Sequence, residues 1–396
     1  MVVGASLAGL RAAETLRREG FTGTVTVVGA EGRRPYDRPP LSKQILTGEW
    51  EHERIVLAAA EDDELHLTWE LGVAAAGLDL DDRSVALADG RSIPFDGLVI
   101  ESGSSPRNLP GTAGVGSVHT LRTVDDSLAV RRVLDAGSAR IAVVGAGFIG
   151  AEVAASCRSR DAEVAMIEPL EAPLARVLGT EIGGVVADVH REHGVDLRLG
   201  TGVTTIEGDD RQATVHLDDG TTVDADAVVV GIGVVPNTGW LEGSGLTVDN
   251  GVVCDATTLA APGVVAAGDV ARWHDERAGR SRRVEHWEHA LDMAAHAARR
   301  LLAGDGPGEP YTPVAWFWSD QYDRKIQLAG TAHPDAEIEV VAGSYDDRRF
   351  CALYRDGDEV GAALAMNMPA QVVRYRRAIA DGLGWDDALR AARSAD

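Results

Sequence analysis

Two stretches of this chain nearly repeat each other. Residues 2–9 read VVGASLAG and residues 143–150 read VVGAGFIG. Farther along, DGRSIPFDGLVI (89–100) matches DGTTVDADAVVV (219–230), in the same order. Each copy runs as apolar strand, glycine loop, helix, apolar strand, hairpin-like region and buried strand. Strands alternating with helices pack as a parallel sheet with helices on its faces. A chain that builds this unit twice is α/β, with two Rossmann-like dinucleotide-binding domains. In the first copy Leu7, Leu10, Ala13 and Leu16 make a helical stripe, Gly20 ends it, and TVTVVG (24–29) reads as a buried parallel strand. In the second, FIGAEVAASCRSR is the helix and EVAMIE (163–168) the strand.

The glycine positions state what such loops hold. In Gly145-x-Gly147-x-x-Gly150, Gly145 allows the tight turn and Gly147 lets a diphosphate approach the backbone. Gly150 lets the helix pack close to the strand, and free N–H groups at the helix start attract the anion. Glu168, at the end of the next strand, stands about 20 residues on, where a carboxylate holds a ribose diol. A carboxylate there repels a 2′-phosphate, which favours NADH over NADPH. A helix start that binds no nucleotide is the competing reading, and the carboxylate weighs against it. The first loop is Gly4-x-Ser6-x-x-Gly9, with serine in the middle position and Glu31 as the carboxylate. Two loops of unequal composition imply two different dinucleotides.

The remaining chain supplies a third domain. GVVAAGDVAR (263–272) is an apolar strand ending in Gly268 and Asp269. A helix over 286–303 follows, with a stripe of Trp287, Leu291, Ala294, Ala298 and Leu301. GDGPGEPYTP (304–313) reads as a linker, and beyond it β-like runs end in helix, an α+β pattern. The expected division is residues 1–113 with 246–312, then 114–245, then 313–396. His286, His289 and His296 fall near one helical face beside Glu285, but their spacing suits a helix beside a cofactor pocket better than a metal site. No metal is expected. Glu61, Asp62, Asp63 and Glu64 read as a solvated face.

Composition narrows the partners. At 396 residues the chain exceeds one core, and its net charge of −24 excludes nucleic acid and anionic membrane surfaces. Cys157, Cys254 and Cys351 are distant and odd in number, so no redox dithiol or cysteine-rich metal site is expected. No apolar run is long enough to span a bilayer. The first apolar residues belong to the glycine loop rather than to a signal peptide, so the cytoplasm is the expected compartment.

RPYDRPPLSK (34–43), LRTVDD (121–126), GIGVVPN (231–237), AAGDVAR (266–272) and WFWSDQY (316–322) join the two loops in a familiar order. With them the chain, from end to end, resembles the ferredoxin and rubredoxin reductases among the two-dinucleotide flavoproteins. Its nearest likeness is to NADH-dependent reductases that feed haem-thiolate monooxygenases and ring dioxygenases. Apoptosis-inducing factor and monodehydroascorbate reductase are more distant cousins. The resemblance implies a glutathione-reductase-like fold with an FAD domain (1–113 and 246–312), an NAD domain (114–245) and a C-terminal interface domain (313–396). It also implies a monomer or weak homodimer.

By position, the resemblance places Ala8 and its loop at the FAD diphosphate and Glu31 at the adenosine ribose. Arg38 and Lys43 would lie along the FAD, Lys43 near the reactive edge of the ring. Ala75 would touch the adenine, Arg122 the FAD, and Asp269 the ribityl chain. Trp287 would sit by the flavin pyrimidine, where a helix N-terminus stabilises the negative charge that hydride arrival creates. Trp318 would stand beside the ring. Gly147, Ile149, Glu168 and Gly233 would line the NADH site, with Glu152 beside the nicotinamide. Lys43 and Glu152 would then pair, either to orient the two rings or as a plain inter-domain salt bridge.

The chain departs from that family pattern in three places. The first strand is short, Ala30 stands where an Asp is usual before Glu31, and the usual Ala-Thr-Gly reads Glu101-Ser102-Gly103. Glu101 puts a charge where a small apolar residue belongs, which bears on how tightly FAD is retained. The expected activity is hydride transfer from NADH to FAD, then single electrons outward to a small iron–sulfur ferredoxin. Arg272, Arg277, Arg280, Arg282 and Arg283, with Arg299, Arg300, Arg324 and Lys325, are either its docking surface or solvated cations balancing an acidic chain. The rival functions are an NADH oxidase or diaphorase, for which no cysteine precedes Cys157, and a redox-sensing flavoprotein of the apoptosis-inducing-factor type.

Overall fold

The computed structural model describes residues 1–57 and 64–394. Glu61, Asp62 and Asp63 of the acidic run lie outside the described residues. The chain divides into two compact units, one of residues 1–37, 53–105 and 234–313, the other of residues 38–52, 106–233 and 314–396. Residues 234–245 thus pack with the first glycine loop. Residues 38–52, which carry Arg38 and Lys43, pack with the second.

In the first unit the described residues form a six-stranded sheet. Its order is Leu259–Ala261, Val264–Ala266, Leu98–Ile100, Val2–Val3, Val25–Gly29 and Leu67–Leu71. The strand before the first loop is two residues long, yet it is paired on both sides. Val2 and Val3 face Val27 and Val28 on one flank and Val99 and Ile100 on the other, all in parallel register. Both valines are buried, as parallel strands covered on both faces must be. The helix Leu7–Arg18 covers one face through Leu10, Ala12, Ala13 and Leu16. The expected stripe holds there except at Leu7, which is only half-buried.

The helix Trp287–Leu302 packs in the same core. Its buried face is His289, Ala290, Met293, Ala294, Ala297 and Ala298. This corrects the expected stripe, because Trp287, Leu291 and Leu301 are only partly buried. The small side chains of Ala290, Ala294, Ala297 and Ala298 let this face approach closely, with Met293 and His289 buried among them. His289 and His296 spend their rings on this core: His289 lies 4.9 Å from the Trp273 ring and His296 lies 5.1 Å from Tyr311.

In the second unit a five-stranded parallel sheet repeats the plan. Its order is Asp196–Leu199, Glu163–Glu168, Arg140–Val144, Ala227–Val230 and Val118–Thr120. Val143 and Val144 pair with Val229 and Val230, as Val2 and Val3 pair with Val99 and Ile100. The internal repeat is therefore a repeat of strand register. The helix Ala175–Glu192 gives Leu178, Ile182, Val185 and Val186 to a core shared with Phe317, Ile326, Phe350 and Tyr354 of the C-terminal sheet. That sheet is antiparallel: Trp316–Gln321, Arg324–Gly330, Glu359–Met366, Arg349–Asp356 and Ile338–Ser344. Its other face carries the helices Pro369–Ala380 and Trp385–Arg393. Among the described residues no helix is long and apolar enough to cross a membrane.

Candidate functional site

The second glycine loop has the geometry its sequence calls for. The helix Phe148–Ser159 begins with Gly147 as N-cap in extended backbone, so the free N–H groups of the first turn face outward from the strand end. Gly145 sits at φ +98°, a region that favours glycine, and a Cβ there would lie 2.5 Å from the Gly231 carbonyl. A Cβ on Gly150 would lie 2.0 Å from the Gly145 carbonyl, so only glycine lets this helix approach its strand. Gly147 differs, because a Cβ there would meet nothing nearer than the Gly231 carbonyl at 3.9 Å. Its outer side is clear, which a diphosphate needs. Ile149 is 46% exposed beside it. Gly233, at φ +100°, accepts the Arg107 amide at 2.9 Å.

Glu168 ends the second strand of this unit and is buried. One oxygen accepts the Ala146 amide at 2.8 Å and the other the Leu170 amide at 3.1 Å. These bonds fix the carboxylate against the loop and leave each oxygen a further lone pair for a ligand hydroxyl.

The first loop follows the same plan. Gly4 sits at φ +134°, with its Cβ position 2.0 Å from the Glu101 carbonyl. A Cβ on Gly9 would lie 1.7 Å from the Gly4 carbonyl. Ser6 is the N-cap of Leu7–Arg18 in extended backbone. Ala8 lies against Gly268, which at φ +68° opens the turn that presents Asp269. The Asp269 carboxylate accepts the Ser104 hydroxyl at 2.8 Å. Glu31 accepts the Tyr36 hydroxyl at 2.5 Å, a partner that the sequence did not single out. Ala75 begins the strand Ala75–Asp79 of a separate antiparallel layer. The helix at Trp287 starts where expected, and the indole N–H donates to Asp37 at 2.6 Å.

Lys43 and Glu152 do meet, and they do so inside the second unit. The ammonium lies 2.6 Å from the carboxylate, with side chains 13% and 5% exposed. Glu152 is held by two more donors, Ser42 Oγ at 2.6 Å and Ser319 Oγ at 2.8 Å. The Ser156 hydroxyl, one turn further along the helix, donates to the Ser42 carbonyl at 2.6 Å. A buried carboxyl with one cation and two hydroxyls around it is fixed in direction. Sequence reasoning found Lys43 and Glu152 but not Ser42 or Ser319. Ser319 follows Trp318 on one strand, so the two point to opposite faces, the serine inward and the tryptophan partly exposed. Trp318 stacks on Trp316 at 5.3 Å. Arg38 donates to the Arg122 carbonyl within the same unit.

No thiol joins these sites. Cys157, Cys254 and Cys351 are free and buried, and burial pushes each thiol up to about 12. The arginines proposed for docking are mostly spent on carboxylates: Arg282 on Asp275 at 2.8 Å, Arg283 on Glu285 at 2.5 Å, Arg299 on Glu19 at 2.7 Å. Arg272 pairs with Asp249, Arg324 with Asp323 and Lys325 with Asp320.

Residues 1–294 match the pyridine nucleotide-disulphide oxidoreductase family, and residues 316–396 match the reductase C-terminal domain. The chain belongs to that oxidoreductase family. It is 37% identical to rhodocoxin reductase of Rhodococcus erythropolis over 385 residues, covering 96% of this chain and 89% of that protein. To the ferredoxin–NAD(+) reductase component of the p-cumate 2,3-dioxygenase system of Pseudomonas putida it is 36% identical, over 95% of this chain and 92% of that one. Among solved structures, the covalent putidaredoxin reductase–putidaredoxin complex matches with a TM-score of 0.92 at 32% identity, over 100% of this chain and 97% of that one. The cofactors of this family are FAD and NADH. The residues present fit both, since each glycine loop is a cradle that a Cβ would fill, with a carboxylate at the end of the following strand.

Proposed function

We propose that this protein is an FAD-dependent NADH:ferredoxin reductase serving a monooxygenase or dioxygenase. The acceptor is a small iron–sulfur ferredoxin of the two-iron, two-sulfur type or one like it. The observation that carries the reading is the pair of dinucleotide cradles in one chain whose cysteines are all buried thiols. Bound FAD supplies the chemistry, taking a hydride and giving up electrons singly, and with no dithiol to receive a pair those electrons leave the protein.

The chain's own residues bind and orient. Gly4, Ser6, Ala8 and Gly9 hold the FAD diphosphate, Glu31 its ribose, and Asp269 the ribityl chain. Gly145, Gly147 and Gly150 hold the NADH diphosphate, Glu168 its ribose, and Ile149 and Gly233 flank it. Arg38, Ala75, Arg122, Gly268, Trp287 and Trp318 complete the FAD contacts. Glu152, fixed by Lys43, Ser42 and Ser319, orients the reacting rings without taking a proton. The protein works in the cytoplasm as a monomer or weak homodimer, without nucleic acid or membrane. Arg280, exposed on its strand, is the part of the arginine cluster offered to ferredoxin.

The test is the absorption spectrum of the pure protein, then NADH added without air. Flavin bands that bleach, with cytochrome c reduced only when ferredoxin is added, support the reading. Direct oxygen or dye reduction at the same rate without ferredoxin would favour an oxidase or diaphorase. Bleaching with no ferredoxin turnover would favour a redox sensor.

A further inference from the structure

The two copies of the dinucleotide unit differ at one buried position. Glu101 and Gly231 each follow the strand that flanks the glycine loop. Glu101 N–H donates to the Val3 carbonyl at 2.7 Å, and Gly231 N–H to the Val144 carbonyl at 2.8 Å. Their carbonyls crowd Gly4 and Gly145 in the same way, at 2.0 and 2.5 Å from the Cβ positions. A side chain at this position points to the first turn of the helix: a Cβ on Gly231 would sit 3.4 Å from the Gly150 amide. The second copy keeps that space empty. In the first copy a carboxyl fills it, with Glu101 Oε2 3.4 Å from the Cβ position of Gly9.

That carboxyl is 5% exposed, and neither oxygen has a hydrogen-bond partner among the described residues. The groups around it do not compensate. The strand Val2–Val3 brings only the Met1 ammonium, at its far end on the Gly97 carbonyl. On the helix Leu7–Arg18, Arg11 and Glu14 pair with each other. The strand Val264–Ala266 is uncharged, and Asp269 beyond it holds Ser104. Glu31, past the strand Val25–Gly29, holds Tyr36. The helix Trp287–Leu302 carries Glu288, His289, Asp292, His296, Arg299 and Arg300, with His286 as its N-cap. Burial pushes His286 to about 4 and His289 to about 3, so both are neutral near pH 7. Burial alone displaces Glu101 itself, to about 8.

We propose that Glu101 makes FAD retention proton-linked: the diphosphate is held at the first glycine loop while the Glu101 carboxyl is neutral, and the hold weakens when that carboxyl ionises. A neutral carboxyl beneath the first turn leaves the field of the helix N-terminus to the ligand. An ionised one places a second negative charge, in a low-dielectric setting, against the anion the loop must bind. Binding to the ionised protein therefore takes up one proton from solvent. The second site, with Gly231 at the equivalent position, has no such linkage.

The inference rests on FAD as the group at the first loop. The test is flavin retention by the holoprotein, read as free-flavin fluorescence after dilution, from pH 6 to pH 9. With the carboxyl changing form near pH 8, the apparent Kd rises about tenfold between pH 7 and pH 9. Glu101→Gln and Glu101→Ala, neutral throughout, should retain flavin with no such rise. A second measurement needs no variant: release of FAD by the parent protein at pH 9 should liberate close to one proton, read with an indicator dye in weak buffer. An inflection near pH 6 instead would point to the Met1 ammonium, which burial lowers to about 6, and would overturn the proposal. So would a Kd that stays within twofold across the range, or the same slope in Glu101→Gln. Protein that binds no flavin at any pH would overturn the functional reading as well, whereas bound flavin with a flat pH response overturns this inference alone.

Discussion

Lys43→Met should destabilise the second unit more than Lys43→Met and Glu152→Gln made together. Glu152 has a side chain 5% exposed and three donors: Lys43 at 2.6 Å, Ser42 at 2.6 Å and Ser319 at 2.8 Å. Removing the ammonium leaves a buried carboxylate on two hydroxyls. Breaking one side of a buried pair costs about 3–5 kcal/mol, most of it the stranded charge. Glu152→Gln alone strands the ammonium less severely, because Lys43 keeps the Pro39 carbonyl at 3.2 Å and is 13% exposed, so a cost of about 2 kcal/mol is expected. In the double variant no unpaired charge remains, and the total should fall below that of Lys43→Met by about 1–2 kcal/mol. Ser319→Ala removes one charge-assisted bond and should cost roughly 1.5–3 kcal/mol. The assay is urea unfolding of the parent, the two single variants and the double variant, followed by intrinsic tryptophan fluorescence. A double variant equal to the sum of the singles, or Lys43→Met within about 0.5 kcal/mol of the parent, would refute the view that this pair is an electrostatic unit.

Two further outcomes are expected. Glu101→Ala should stabilise flavin-free protein, and more so as pH rises. The carboxyl is pushed from 4.5 to about 8 in the fold, so the ionisation part of its burial cost is absent below about pH 4.5 and grows by about 1.4 kcal/mol per pH unit up to about pH 8. The stability gap between parent and variant should then widen by a few kcal/mol in the variant's favour between pH 4.5 and pH 8.5; a constant gap would show that ionisation has no part in it. Gly150→Ala and Gly147→Ala should part company. The first drives a methyl to 2.0 Å from the Gly145 carbonyl and should cost about 1–3 kcal/mol in stability, while the second has room and should leave the urea midpoint unchanged but raise the KM for NADH several-fold. Equal stability losses in both would contradict the roles assigned to the two glycines.

The repeat made most of this fold legible, because a parallel sheet is a register problem and the register was written twice. VVGASLAG and VVGAGFIG fixed the loop strands, and the second matched pair fixed their neighbours, so Val2–Val99 and Val143–Val229 pair as equivalents. Three kinds of information were not legible. One was the docking of a segment with no periodicity. Residues 38–52 follow the first loop in sequence but pack with the second unit, through contacts such as the Ser127 hydroxyl on the Leu41 carbonyl at 2.7 Å. Another was side-chain choice where composition is uniform. In Trp287–Leu302 alanines occur on several faces, so hydrophobicity did not mark the one that is buried. The two serine donors of Glu152 escaped for a third reason: they lie 110 and 167 residues away, and a serine in an aromatic strand carries no signal until the alternation of the strand is known.

Glu101 is the instructive case, since its identity was readable and its consequence was not. A carboxyl at the end of a buried strand can be answered by a cation, by backbone N–H groups, or by nothing. The third state costs stability and persists in natural proteins mostly where something else depends on it. Glu168 shows the second answer in the other copy of the same fold: a carboxylate at a strand end with the Ala146 and Leu170 amides on its oxygens. Glu101, which follows the neighbouring strand of the first copy, receives none. The two carboxyls differ in position: Glu168 accepts the amides of Ala146 and Leu170, whereas Glu101 lies beneath the first turn of its helix, 3.4 Å from the Cβ position of Gly9. The first is suited to holding a ribose, and the second to sensing whether the proton it needs is available.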